Sequence, residues 1–272
     1  DPLFLDDLKK EFKEFCEIAV EKTRERKLKE FQKKLATLTF LDPACGSGNF
    51  LTETYISLRR LENEVLRILS HGQISFGDED LSPIQVSIDQ FYGIEINDFA
   101  VTVAKTALWI AESQMMKETE DVVHMSLDFL PLKSYTNITE GNALEINWKN
   151  VVSNDKLNYI MGNPPFVGAR LMEQGSDQKK EIQTIFGNIK DVQDLDYVTC
   201  WYKLASQYIQ NTKIQVCFVS TNSICQGSQV PILWNVLFHD YHVHINFAYQ
   251  TFKWDSESSS QVAVHCVIVG FA

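Results

Sequence analysis

Apolar and polar positions follow two rhythms along this chain, and their succession sets the expected fold. Leu5, Leu8, Phe12, Phe15 and Val20 recur three to five residues apart, so residues 3–37 are predicted to be helical. "LTFLD" (38–42) is a short apolar run ending in "PACGSGN", which predicts a strand feeding a tight turn. "FLTETYISLRRLENEVLRIL" then has the period of a long helix. A looser stretch with His71-Gly72 and Ser82-Pro83 precedes the next strand, "QFYGIEI" (90–96). Over residues 98–116, Ala100, Val103, Ala104, Ala107, Leu108 and Ala111 share one helical face. An irregular stretch leads to the strand "LNYIMG", and a polar segment over 168–190 follows. A helix at about 192–210, the strand "KIQVCFVS" and two late strands near 241–250 and 261–270 complete the pattern.

Strands alternating with helices predict an α/β fold with a doubly wound parallel sheet. No clear helix separates the last two strands, so they are expected to pair as an antiparallel hairpin at one edge. The expected organisation is an N-terminal helical segment, 1–37, and one α/β domain over 38–272.

Composition narrows the class. The 272 residues are 44% apolar, enough for one large core, and no run of 18 apolar residues is present to span a membrane. The chain opens on Asp1-Pro2 and closes on "VAVHCVIVGFA", which reads as an internal piece of a longer protein. Six cysteines are scattered without a CxxC pair, as expected for reduced thiols in a cytoplasmic protein. Residues 1–37 carry ten Lys/Arg and nine Asp/Glu, a solvated helix face rather than a nucleic-acid-binding arm. The net charge of −11 by itself argues against nucleic-acid binding.

Two turns carry chemistry. In "LDPACGSGNF" (41–50), Gly46 and Gly48 lie between a strand and a helix, where a ligand can approach the backbone. A dinucleotide site would need a third glycine at Leu51 and an acid about 20 residues on, and Glu95 lies much further away. Asp42 would repel a pyrophosphate but suits a ligand bearing an ammonium group. Glu95, ending the second strand, is placed to accept both hydroxyls of a ribose. Amino acid, ribose and adenine together describe S-adenosylmethionine. The second turn, "GNPPF" (162–166), ends a buried strand with an amide and two rigid rings.

With both turns in this order, the sequence resembles the class I S-adenosylmethionine-dependent methyltransferases that modify exocyclic amino groups of DNA. "FLDPACGSGNFL … YGIEIN … MGNPPFVG" is most similar to the adenine-N6 methylase domains of single-chain type II restriction–modification enzymes, over residues 38–270. The resemblance implies a Rossmann-like methyltransferase sheet with S-adenosylmethionine as cofactor and double-stranded DNA as partner. It also implies fused endonuclease and target-recognition domains, whose contacts would supply most of the grip that an acidic domain lacks.

By the same resemblance, the cofactor is held by Asp42, Pro43, Ala44, Cys45, Gly46, Gly48, Asn49, Phe50, Glu95, Ile96, Asn142 and Ala143. The family position matched by Asn142 is often Asp, and Ile96 reads equally as a buried strand residue. Asn163, Pro164, Pro165 and Phe166 form the catalytic motif. An adenine amino group is a poor nucleophile because its lone pair is delocalised into the ring. Acceptors aimed at its hydrogens stabilise the positive charge that develops during methylation. Asn163 offers its side-chain oxygen and Pro164 its carbonyl, while Phe166 offers a face on which an extruded base stacks. A sulfonium is already an activated leaving group, so this chemistry requires no metal.

Asp194 and Tyr197 in "DLDYVTCWYKL" resemble the family's next motif, or read simply as a surface Asp and a core Tyr. His239, His242 and His244 lack nearby cysteines, and the last two are expected to share a strand face rather than bind zinc. No Pro-Cys dipeptide is present, which removes the usual nucleophile of cytosine C5 methylation. Cytosine N4, an RNA base or a protein glutamine amide pose the same planar-amine problem and remain alternatives. Residues 168–190 are expected to be a mobile loop whose Arg170, Lys179 and Lys180 meet DNA phosphates.

Overall fold

The computed structural model describes residues 2–70, 83–124, 136–254 and 264–272, so the looser stretch over 71–82 lies outside the described residues. Two helices, α1 (Leu5–Cys16) and α2 (Glu21–Thr37), replace the single helix expected over 3–37. One straight helix of that length would run about 50 Å, too long to lay its whole apolar face on one sheet. The break at 17–20 folds α1 back, setting Phe12 and Phe15 against Phe31 at ring separations of 6.1 and 6.0 Å.

Next come β1 (Phe40–Asp42), α3 (Asn49–Ser70), β2 (Phe91–Glu95) and α4 (Asp98–Val123). α4 outruns the expected 98–116 because buried Met115 and Thr119 continue its inner face. β3 (Asn137–Glu140) lies in the stretch read as irregular; "NITE" buries only Ile138, so it has no apolar run to reveal it. β4 (Tyr159–Gly162) leads into the polar segment, which contains a helix, α5 (Asp177–Phe186). This corrects the expected mobile loop. Ser176 caps the first turn, and Ile182 and Phe186, four residues apart, bury one face in the core.

The helix expected over 192–210 is shorter: a 3-10 turn at Val192–Asp194 precedes α6 (Thr199–Tyr208). β5 (Gln215–Thr221) is followed by α7 (Gln229–Asn235), which sequence patterning did not indicate and which runs on into a π-helical turn, Val236–Asp240. β6 (Ile245–Trp254) and β7 (Val264–Phe271) complete the chain. His242 and His244 precede β6, and His242 has φ 54°, so they do not share a strand face as expected.

The strands form one sheet in the order β3-β2-β1-β4-β5-β7-β6. β1 to β5 are parallel, and β7 runs antiparallel to both β5 and β6, the edge hairpin that the sequence predicts. Alternate strand residues supply two cores. Phe40, Phe91, Ile138 and Met161 face α1 to α4, whereas Leu41, Ile94, Ile160 and Phe218 face α5 to α7. Phe40 stacks between Phe91 and Tyr159 at 5.2 and 5.3 Å, which fixes the register of the three central strands at their starts. The chain crosses from one side of β1 to the other between β3 and β4. Ligands of such sheets bind beyond the strand ends at this switch point, where β1, β2 and β4 end in Asp42, Glu95 and Gly162. Among the described residues, no helix is long and apolar enough to cross a membrane, and none of the cysteines is in a disulfide.

Candidate active site

The glycine turn is held by hydrogen bonds to β2 and to α6. The Cys45 N–H donates to the Ile94 carbonyl of β2 (3.0 Å), and the Gly48 N–H donates to the Cys45 carbonyl (2.8 Å). Gly46 and Gly48 have φ of 53° and 82°, which L side chains rarely adopt. A Cβ at Gly48 would also lie 3.1 Å from that of Ala104, so the missing side chain lets the turn rest on α4. Glu95 reaches across from β2: its Oε2 accepts from the Gly46 N–H and its Oε1 from the Asn97 N–H, both at 2.9 Å. From the other face, the Trp201 indole of α6 donates to the Pro43 carbonyl at 3.0 Å.

Asp42 is buried, and its Oδ1 accepts from the Ala44 N–H at 3.0 Å. Burial pushes its carboxyl up to about 7 against that hydrogen bond, and the nearby Glu95 charge adds to the rise. Burial likewise raises the Cys45 thiol, which makes it a packing residue rather than a nucleophile. Asn49 and Phe50, opening α3, are exposed. Ile96 is 67% exposed just past β2, which removes the buried-strand alternative for it.

At the end of β3, Asn142 accepts from the Leu144 N–H (2.9 Å) and donates to Glu181 Oε1 of α5 (2.6 Å), with Ala143 buried beside it. The other Glu181 oxygen accepts from the Tyr197 hydroxyl at 2.6 Å. Burial and then this hydrogen bond hold the Tyr197 phenol well above its usual range.

The second turn begins where β4 meets β1. A Cβ on Gly162 would lie 2.4 Å from Asp42 Oδ1, so only glycine lets the two strand ends approach this closely. Pro164 is buried, Pro165 exposed and Phe166 half-buried. Among the described residues, Asn163 Oδ1 is buried and has no hydrogen-bond partner. An orphaned buried acceptor costs about 1–3 kcal/mol, so its persistence here points to a donor that arrives from outside. Phe166 lines a cavity of about 780 Å3 together with Gly168, Leu171, Asp196, Thr221 and Gln229. A larger hollow, about 970 Å3, opens between α1, α3 and the end of α4, but none of the motif residues lines it.

The family model for the MmeI DNA-methyltransferase domain matches residues 18–272. The chain belongs to that family. It is 41% identical over 273 residues to the DNA methyltransferase A of Bacillus subtilis (strain 168), covering 99% of this chain and 30% of that protein. Its structure matches the Type IIL restriction-modification enzyme MmeI, solved in complex with DNA, at a TM-score of 0.88 and 46% identity. That match covers 99% of this chain and 35% of the enzyme's. The ATP-dependent Type ISP restriction-modification enzyme LlaBIII, bound to DNA, matches at a TM-score of 0.52 and 14% identity over 86% of this chain and 16% of its own, and shares the fold alone. The chain thus spans about a third of the length of its two nearer relatives named here.

In this MmeI-family domain the structure brings the two motifs together as the sequence expects and adds residues that sequence reasoning missed. Asp194, singled out from the motif resemblance, is exposed, and the buried acid is Asp196. Asp196 accepts from the Ala169 N–H (2.8 Å), the Thr221 hydroxyl (3.3 Å) and the Ser223 hydroxyl, which ties the segment after Phe166 to the end of β5. The signal available in sequence was a second Asp two residues on, facing a hydroxyl-rich strand end, "STNS". Glu181 and Trp201 gave no signal, because the turn residues they meet, Asn142 and Pro43, lie 39 and 158 residues away.

Proposed function

We propose that this chain is the catalytic domain of a restriction–modification enzyme. In this reading it transfers a methyl group from S-adenosylmethionine to N6 of an adenine extruded from double-stranded DNA. One observation carries the reading: Asn163 Oδ1, buried and unpartnered among the described residues, directly follows the Gly162 that packs against Asp42 at the end of β1. It is the acceptor an amino group requires, set next to a turn built for an amino-acid-bearing nucleoside.

The residues present fit such a cofactor. Asp42 would take its ammonium group and the Gly46–Gly48 turn its carboxylate, while Glu95 would take the ribose. Ile96 would pack on the adenine, with Asn142 and Ala143 at its edge. When bound, S-adenosylmethionine supplies a sulfonium-activated methyl group. Asn163 and the Pro164 carbonyl would hold the acceptor nitrogen by its hydrogens and stabilise its developing charge. Phe166 would stack on the base in the adjoining cavity.

The proposed division keeps 1–37 as a helical segment and 38–272 as the catalytic unit. α1 and α2 pack their buried faces into the sheet's own core, so the segment buttresses the catalytic unit. The family match favours DNA over an RNA base or a glutamine amide as acceptor. The test is methyl transfer from labelled S-adenosylmethionine by the full-length gene product to duplex DNA, tRNA and a protein extract. The DNA is then digested and its nucleosides separated. Label in N6-methyladenine is expected. Label in N4-methylcytosine, RNA or protein would overturn the corresponding part of the proposal.

A further inference from the structure

A base leaving a duplex opens a gap in the stack, and proteins that distort DNA often fill such gaps with apolar side chains. Leu171 is 81% exposed, more than any other large apolar side chain among the described residues. A single exposed leucine is ordinary in itself. What distinguishes Leu171 is where it is and how firmly it is held.

Leu171 lines the same cavity as Phe166. Its N–H donates to the Gly168 carbonyl at 2.8 Å, closing a tight turn. Inside that turn the Ala169 N–H donates to Asp196 Oδ1 at 2.8 Å. Asp196 is itself fixed by the Thr221 and Ser223 hydroxyls, and its own N–H donates to Gln229 Oε1 at 3.0 Å. On the far side of Leu171, Met172 is buried in the core. An apolar tip is therefore displayed on a pinned turn at the cavity wall, next to the exposed cation Arg170.

We propose that Leu171 is the wedge that enters the DNA stack as the target base moves into the Phe166 cavity. Asp196 is the positioning residue that keeps its turn rigid. The proposal rests on the methyl-transfer reading above and adds to it the means by which the base is kept out. Pinning matters because a loose leucine would fold back onto Phe166, whereas a fixed one arrives with little ordering left to do.

The experiment uses the full-length gene product on oligonucleotide duplexes, after the modified base has been located by sequencing methylated DNA. One duplex is fully paired and a second carries a mispair opposite the target. A third has 2-aminopurine in place of the target, whose fluorescence rises on unstacking. Leu171→Ala should lower kcat/KM on the paired duplex by at least about tenfold and by no more than about threefold on the mispaired one, where the base is already easier to extrude. The 2-aminopurine signal should fall in parallel. Asp196→Ala should show the same pattern. Asp196→Asn should restore most of it, since its oxygen can still face Ala169 while the two hydroxyls turn to accept from its amide. Wild-type rates for Leu171→Ala on paired DNA, or equal losses on both duplexes, would overturn the wedge and leave the methyl-transfer reading standing. Absence of any transfer to DNA by the wild-type protein would remove that reading and the wedge with it.

Discussion

The two turns of the site are finished to different degrees by the chain itself. In the glycine turn the key polar groups already have partners: Glu95 holds the Gly46 and Asn97 amides, Asp42 holds the Ala44 amide, and Pro43 receives the Trp201 indole. Past the end of β4, Asn163 Oδ1 is buried and, among the described residues, left without a partner. On the proposed reading the difference has a use: a cofactor pocket that must keep its shape between turnovers would satisfy its own backbone, whereas an acceptor used only when a substrate amino group arrives would be left open and recover its hydrogen bond on binding.

The largest effect expected from this contrast is at Asn163. Asn163→Ala should lower methyl transfer by about 100- to 1,000-fold, the cost of one preorganised donor or acceptor. Cofactor affinity, read by calorimetry, should stay within a few fold. Loss of both together would mean that the two turns are one unit and would erase the distinction. Glu95→Ala should act on the other side, weakening S-adenosylmethionine binding by about tenfold or more because charge-assisted hydrogen bonds are removed. Transfer at saturating cofactor should fall much less. Unchanged affinity would place the ribose elsewhere.

A smaller effect concerns pH. With the Asp42 carboxyl raised to about 7, its charge develops only around neutrality. Affinity for a ligand bearing an ammonium should therefore rise a few fold between about pH 6 and 8, and Asp42→Asn should flatten the rise. For the ligand-free domain the sign is opposite. A carboxyl raised in the folded state stabilises the fold when protonated, so this contribution is full below the ordinary value of 3.8 and is lost as pH climbs through about 7. Melting temperatures of wild type and Asp42→Asn across that window measure it. The smallest effect is expected at Trp201: Trp201→Phe should cost about 1 kcal/mol of stability by orphaning the Pro43 carbonyl. Thermal denaturation reads that loss, and transfer should hardly change.

Much of this layout was legible in the sequence because the information is local. "DPACGSGN" states a strand end, a positive-φ turn and a helix start in consecutive residues, and "GNPPF" does the same for a terminated strand. What escaped was tertiary. The α1–α2 break has no Pro or Gly to announce it and exists because Phe12, Phe15 and Phe31 must meet. β3 is a strand through pairing with β2, not through its own four residues. α5 was hidden by polar composition, although Ile182 and Phe186 sat at helical spacing and Ser176 was its cap. Asp196 was overshadowed by Asp194, because sequence alone does not say which of two acids points inward.

The 2.4 Å between Asp42 Oδ1 and a would-be Cβ on Gly162 has a bearing on how such domains are recombined. The glycine ahead of Asn-Pro-Pro-Phe and the aspartate ahead of the glycine turn occupy a shared space, although they stand 120 residues apart. Neither motif is then a portable cassette. A chimaera that imports the second turn from a homologue with alanine at that place would push Asp42 off the Ala44 amide and unsettle a pocket whose sequence had not been touched. Swaps intended to change the acceptor should move β1 and β4 as a matched pair, and random libraries that vary residue 162 should recover glycine almost every time.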